Sequence, residues 1–349
     1  MSSHQIYLQR CIDLARLGAG SVSPNPMVGS VIVCDDKIIG EGYHKVYGQA
    51  HAEVNAINQV FETHENAREL LQRSTIYVNL EPCSHFGKTP PCADLIISNQ
   101  IPRAVIGCRD PFDQINGKGI EKLKNAGIEV SEGILTDQCI DLNKRFFTRI
   151  RKQRPYIILK WAQTANGFFA PADRSQKWIS SQSSKQLVHQ WRTEEDAVLV
   201  GKNTALADNP RLNTRKWSGR DPVRIIIDRR LELPLNLHIF DQSQDTIIFN
   251  QQKTDLVGRI KYLELKDFDN LLPQLIAYQL YLMDIQSLIV EGGAETLNLF
   301  IRAGLWDEAR VFTSPQNWNE GIPVPVLFGK ASEAHIVGPD VLNIWYNKG

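Results

Sequence analysis

No run in this 349-residue sequence approaches the 18 or so apolar residues that a membrane-crossing helix needs. The opening "MSSHQIYLQR" also lacks the apolar core of a secretion signal. Net charge is missing as well, since Lys+Arg and Asp+Glu number 39 each. A protein that coats a polyanion concentrates cationic charge, so neither nucleic acid nor a membrane is an expected partner. Gly and Pro stand at 23 and 17, with no internal repeat and no low-complexity tract, which excludes a fibrous or disordered chain. Cysteine is scarce, at six, far below the density of a disulfide-stapled secreted domain. A cytoplasmic protein is expected, in which a close pair of cysteines serves metal binding or catalysis before it serves a disulfide.

What is present is the patterning of a globular α/β protein long enough for two domains. "QIYLQRCIDLARLG" carries apolar residues at helical spacing and stops at Gly18, while "GSVIVCDDKIIGEGYH" alternates on either side of "DDK", the pattern of a hairpin. A helix from about His51 follows, then strand "STIYVNL", helix "CADLIISNQ", strand "RAVIGC", helix "GIEKLKNAG", a short strand near "IEVSEGIL" and a single helix "QCIDLNKRFFTRI". Strands alternating with helices predict layers on a mainly parallel sheet. The basic, proline-marked link "RKQRPYIILKWAQ" then opens a second α/β half. Its strands are expected at "DAVLVG", "PVRIIID", "DTIIFN", "QSLIVEGG", "EARVFTSP" and "VLNIWY", with helices at "SSKQLVHQWRTE" and "ETLNLFIRAG". The domains are expected at 1–147 and 148–349.

The chemistry concentrates in "HAEVNAI" and "LEPCSHFGKTPPCADL". His51, Cys83 and Cys92 have the softness and number of a catalytic zinc site, which keeps its fourth position for water. Glu53 is a carboxylate suited to take a proton from that water and return it to a leaving amine. Two residues on a regular helix are about 200° apart, so His51 is expected at the helix entrance, where both side chains still face one point. Cys92 opens a further helix, whose positive end favours a thiolate. H-x-E followed by P-C-x-x-C is the zinc nucleobase deaminase signature; the order is kept here, with Pro82 before Cys83, but "SHFGKTPP" lies between the cysteines. Cys11, Cys34, Cys108 and Cys139 are expected to pack in the interior, and His44 and His85 to be substrate contacts or surface residues rather than ligands. In the second half, "SLIVEGG" running into "AETLNLFIRAG" places Gly292 and Gly293 at a strand-to-helix turn able to offer N–H groups to a phosphate. Arg229 and Arg230, after "VRIIID", suit a 2′-phosphate or simply solvent.

Together with "PNPMVG", these motifs resemble the riboflavin-biosynthesis family of bifunctional diaminohydroxyphosphoribosylaminopyrimidine deaminases and 5-amino-6-(5-phosphoribosylamino)uracil reductases. The likeness continues through "ADNPRLNTR", "VEGGAETL" and "VGPDV". It implies a cytidine-deaminase-like three-layer domain, then a dihydrofolate-reductase-like domain that uses NADPH to convert a ribosyl group to ribityl. By this resemblance His51, Cys83 and Cys92 hold Zn²⁺, Glu53 shuttles protons and Asn25 lies at the pyrimidine pocket. Ala162, Trp178, Thr204, Asp208, Arg229 and the turn Gly293, Ala294, Glu295, Thr296 and Leu297 line the cofactor, while Arg192, Leu212, Arg215 and Glu291 hold the substrate. Asn166 and Gln176 depart from the family pattern, standing where relatives carry an acid and a substrate-binding serine. The expected partner is a small phosphorylated pyrimidine, and the chain is expected to form a homo-oligomer. Two other readings stay open: a closed, structural zinc module that binds RNA, which requires a fourth protein ligand, and a polynucleotide base-editing deaminase, which requires a basic, aromatic-studded face.

Overall fold

A computed structural model describes residues 2–84, 90–112, 115–173 and 177–347; His85 and Gln176 lie outside them. The chain divides into two compact units, Met1–Lys152 and Gln153–Gly349, so the division falls at the end of a helix, a little beyond the expected junction.

The first unit begins with α1 (Ser3–Arg16), β1 (Gly29–Cys34), β2 (Lys37–Tyr43), α2 (Ala52–Thr63), α3 (Ala67–Leu71) and β3 (Thr75–Leu80). It continues through α4 (Cys92–Ser98), β4 (Arg103–Cys108), α5 (Lys118–Asn125), β5 (Glu129–Glu132), α6 (Thr136–Leu142) and α7 (Lys144–Lys152). Ser2 and Gln5 close a capping box that starts α1. Asp35 and Asp36, at φ +48° and +59°, make the hairpin turn between β1 and β2. The sheet order is β2-β1-β3-β4-β5. It is mixed rather than mainly parallel: β1 runs antiparallel to both neighbours, while β3, β4 and β5 are parallel. Alternate strand residues serve opposite faces. Ile76, Val78, Ala104 and Ile106 pack with residues of α2 to α5, and Val31, Val33, Tyr77 and Val105 pack with α1. Covering both faces is why these strands are continuously apolar. The expected single final helix is two, broken at Asn143 (φ −103°, ψ 22°). That side chain leaves helical duty to clamp the main chain of Met27, accepting from its N–H at 2.8 Å and donating to its carbonyl at 2.9 Å.

The second unit contains β6 (Tyr156–Gln163), β7 (Phe168–Ala170), α8 (Gln182–Glu194), β8 (Ala197–Gly201), α9 (Lys202–Asp208), β9 (Val223–Ile227), β10 (Thr246–Asn250), β11 (Asp255–Val257) and β12 (Ile260–Glu264). α10 (Leu272–Leu282), β13 (Ser287–Val290), α11 (Ala294–Arg302), β14 (Glu308–Thr313), β15 (Ile322–Pro323), β16 (Glu333–Val337) and β17 (Asp340–Tyr346) complete it. Ten strands form one sheet in the order β11-β12-β10-β9-β8-β13-β6-β14-β17-β16, with β7 and β15 paired separately. The run from β12 to β14 is parallel, and both edges are antiparallel. One face buries Ile157, Leu159, Leu199 and Val290 under α10 and α11; the other buries Ile158, Val198, Val200 and Ile289 against Val188 and Trp191 of α8.

Candidate active sites

In the first unit the carboxyl end of β3 and the amino ends of α2 and α4 converge. His51 is the N-cap residue of α2, yet its side chain makes no capping bond, because its Nδ1 faces sulfur: 3.3 Å from Cys92 Sγ and 3.7 Å from Cys83 Sγ. The Cys92 main-chain N–H donates to Cys83 Sγ at 3.3 Å. One ligand atom from each of His51, Cys83 and Cys92 lies within 4.8 Å of the others. Tetrahedral zinc with bonds of about 2.0 Å to nitrogen and about 2.3 Å to sulfur sets an N to S separation of about 3.6 Å, so the residues fit the ion. Among the described residues no other His, Cys, Asp or Glu joins the cluster.

The electrostatics suit a proton carrier beside a metal. Glu53, in the first turn of α2, is buried, and burial, followed by the Cys83 sulfur, pushes its carboxyl above the ordinary value. Hydrogen bonding from the Cys92 thiol outweighs burial and pulls Cys83 down to about 4, while Cys92 moves up. Zinc would be held by both sulfurs as thiolates, so its binding would be coupled to proton release. His44 is neither a surface residue nor a ligand. It is 3% exposed and stands edge-on to His51, with ring centroids 5.4 Å apart. Its Nδ1 meets the Ala50 carbonyl at 3.0 Å, an acceptor only, so Nδ1 carries the proton and Nε2 accepts from Asn25 Nδ2 at 3.2 Å. Burial lowers its pKa, consistent with a neutral ring.

Two supports escaped sequence reasoning. The carboxylate of Glu81, beside the Pro-Cys pair, is buried and accepts N–H bonds from Asp110 (3.2 Å), Gly117 (2.9 Å), Gly119 (2.8 Å) and Ile120 (3.3 Å). It ties the Cys83 segment to the start of α5. A Cβ at Gly119 would stand 2.1 Å from the Pro82 carbonyl oxygen, so only glycine allows this approach. Asn79 accepts from the Gly29 N–H at 2.8 Å and donates to the Met27 carbonyl at 3.1 Å, which fixes the Pro-Asn-Pro segment beside β3. The adjacency of Glu81 to Pro82 was the available signal; its partners, distant in sequence, were not.

In the second unit a cleft of about 1040 Å³ opens at the carboxyl ends of β6, β8, β9 and β13, where ligands of open α/β sheets bind. It is lined by Ala162, Trp178, Thr204, Asp208, Arg229 and Gly293 to Thr296, and by Arg192, Leu212, Arg215 and Glu291. Leu297 is the exception: it is fully buried in the core, and its side chain does not line the cleft, because it points from α11 toward the sheet. Thr204 Oγ1 accepts from the Gly293 N–H at 2.7 Å. Gly292 is a packing residue, since a Cβ there would fall 2.7 Å from the Gly201 nitrogen and 2.8 Å from Val200 Cα.

Arg192 and Glu291 form a bidentate pair inside this cleft, and Arg192 also donates to the Asn213 carbonyl at 3.0 Å. Burial opposes ionisation of Glu291, yet Arg192 and Lys160 overcome it and hold the carboxyl down at about 2. Lys160, which sequence reasoning missed, lies 3.9 Å from that carboxylate, and burial lowers its own pKa. Burial also lifts Asp208. Arg229 is engaged by Asp269 at 2.7 and 2.9 Å and by Gln251 at 2.6 Å, so its charge is already balanced. Lys185 sits 3.7 Å above the ring of the exposed Trp178. Asn166 does not line the cleft; its Nδ2 donates to the Trp318 carbonyl at 2.6 Å, a bond that an ionised acid cannot make.

Residues 1–108 match the cytidine and deoxycytidylate deaminase zinc-binding region, and residues 155–317 match the RibD C-terminal domain. The riboflavin biosynthesis protein RibD of Aquifex aeolicus is 41% identical over 91% of this chain and 88% of its own length. That of Escherichia coli is 35% identical over 89% and 88%. The chain belongs to the RibD family. It therefore joins a zinc-binding deaminase domain to a RibD reductase domain related to dihydrofolate reductase. The crystal structure of a Thermotoga maritima diaminohydroxyphosphoribosylaminopyrimidine deaminase/5-amino-6-(5-phosphoribosylamino)uracil reductase is similar, at 35% identity and a TM-score of 0.89 with 99% of each chain covered. RibD of Acinetobacter baumannii gives 33% identity and the same TM-score and coverage. The family carries zinc in its deaminase half and uses NADPH in its reductase half. Among the described residues no helix is long and apolar enough to cross a membrane.

Proposed function

We propose that this chain hydrolytically deaminates 2,5-diamino-6-(5-phosphoribosylamino)pyrimidin-4-one and then reduces the ribosyl side chain of the product to ribityl with NADPH. The observation that carries the reading is the convergence of His51 Nδ1 and the sulfurs of Cys83 and Cys92, with the buried Glu53 beside them. Zinc held by those atoms supplies the acidity that makes water a nucleophile near neutral pH. Glu53 receives the proton of the attacking water on a carboxylate oxygen and delivers it to the departing amino group, which leaves as ammonia. Asn25, oriented by His44, meets the pyrimidine.

In the second unit NADPH supplies hydride. Trp178, Thr204, Asp208, Arg229, Ala162 and the Gly293–Thr296 turn hold the cofactor. Arg192, Arg215, Leu212 and Glu291 hold the phosphorylated sugar, with guanidinium forks matched to phosphate. Lys160 can give, from Nζ, the proton that accompanies hydride. Small, polar substrates of this kind support action in the cytoplasm. The outermost position of β16 and the exposed Phe328 and Ile336 support a homo-oligomer, which sedimentation of the purified chain tests.

The test of function follows ammonia and NADPH together with the free phosphorylated pyrimidine. One ammonia released and one NADPH oxidised per substrate is the expected result, with no ammonia from an RNA oligonucleotide. Ammonia from RNA, or NADPH left unoxidised, contradicts the reading.

A further inference from the structure

His189 belongs to no assigned set, yet it has the marks of a group awaiting a ligand. It lies on α8 one turn before Arg192, so the two share a helix face. Its side chain is only 5% exposed, and it lines the reductase cleft. Its Nδ1 is buried and has no hydrogen-bond partner among the described residues. A buried polar atom left unpaired costs free energy, and such atoms in a native fold mark a missing ligand or water.

The surroundings say which ligand. Burial, then Arg192 and Arg215, lower the His189 pKa to about 4, against partial support for the charged form from the Asn213 carbonyl and Glu291. The ring is therefore a neutral donor and acceptor set among cations. Burial and the nearby Arg192 and Arg211 likewise lower the pKa of Arg215, so this end of the cleft holds clustered positive charge. Glu291 is already taken by Arg192 and Lys160. An oxyanion satisfies that cluster, and a polyhydroxylated chain carrying it offers hydrogen bonds to a neutral imidazole.

We propose that His189 is a substrate-positioning residue of the reductase site, whose ring turns to bring the unpaired Nδ1 to the phosphorylated sugar of the pyrimidine while the arginines hold its charge. The assignment rests on the reductase reading above. It assigns His189 the holding of the sugar, with no proton or hydride passing through the ring.

The test measures steady-state reduction of the deaminated, phosphorylated pyrimidine by NADPH in the full chain, for wild type, His189→Leu and His189→Asn. Asparagine can place a polar atom near that of Nδ1; leucine cannot. The expected result is KM for the pyrimidine raised about tenfold or more in His189→Leu, with KM for NADPH within twofold of wild type and most of the loss recovered in His189→Asn. The same leucine variant is expected to bind NADPH with wild-type affinity by fluorescence titration, which separates a folding defect from a lost contact. A leucine variant with wild-type KM for the pyrimidine overturns the proposal, as does a loss that asparagine fails to recover. A wild-type chain unable to reduce this pyrimidine overturns the reductase reading and the assignment with it.

Discussion

Arg192 donates two parallel hydrogen bonds to Glu291, from Nε to Oε1 at 2.9 Å and from Nη2 to Oε2 at 2.8 Å. The pair joins α8 to the segment after β13, and both side chains are about nine-tenths buried. Removing one partner strands the other charge, at a cost of about 3 to 5 kcal/mol. Arg192→Leu is expected to lower the stability of the second unit by that order in denaturant titration and to abolish reduction. The double change Arg192→Leu with Glu291→Gln is expected to regain part of the stability, because no stranded carboxylate remains although Lys160 loses the acid beside it.

The same pair sets a pH dependence. Held down at about 2 from the ordinary 4.5, Glu291 contributes stability that is fully present above the unfolded value and is lost as pH falls from about 4.5 toward about 2. Glu291→Gln is expected to flatten that part of the stability curve. Thermal unfolding of both proteins across this acid window checks it; parallel curves contradict it.

Glu81 is expected to act on the metal site through the backbone. Glu81→Ala leaves the N–H groups of Asp110, Gly117, Gly119 and Ile120 without their carboxylate, at a cost of about 2 to 4 kcal/mol. Bound zinc is expected to fall with it, by elemental analysis, since Cys83 stands at the end of the freed segment. Gly119→Ala is expected to do the same, as its Cβ meets the Pro82 carbonyl.

Metal removal separates the halves. Chelation, or Cys83→Ser, is expected to stop ammonia release while leaving reduction of the deaminated pyrimidine near wild type. Loss of both activities on chelation contradicts the division of labour.

The zinc constellation was legible because its donor types are rare and its order is fixed: His51, Glu53, then Cys83 and Cys92. The strands were legible where both faces are covered, as in the fully buried β1 and β8. What escaped has physical causes. β1 pairs antiparallel with β3 through contacts that no local pattern encodes. β7 and β15 are too short to show a period, and β11 is fully exposed. Asn143 looked like one more helical residue, and only its bonds to Met27, distant in sequence, explain the break. Lys160 lay inside an apolar strand, where a lysine signals function only once Glu291 is seen beside it. His189 sat within a helix pattern that gave no hint of the arginines around it.

The account turns on Glu53 as the proton carrier of the first unit, with the second unit working independently of it. The decisive measurement is ammonia release and NADPH oxidation by Glu53→Gln, in parallel assays supplied with the phosphorylated diaminopyrimidine and with its deaminated product. A loss of ammonia release of at least about a hundredfold, with zinc content and reduction of the deaminated product unchanged, is the predicted result. Ammonia released at the wild-type rate, or reduction lost alongside deamination, contradicts it.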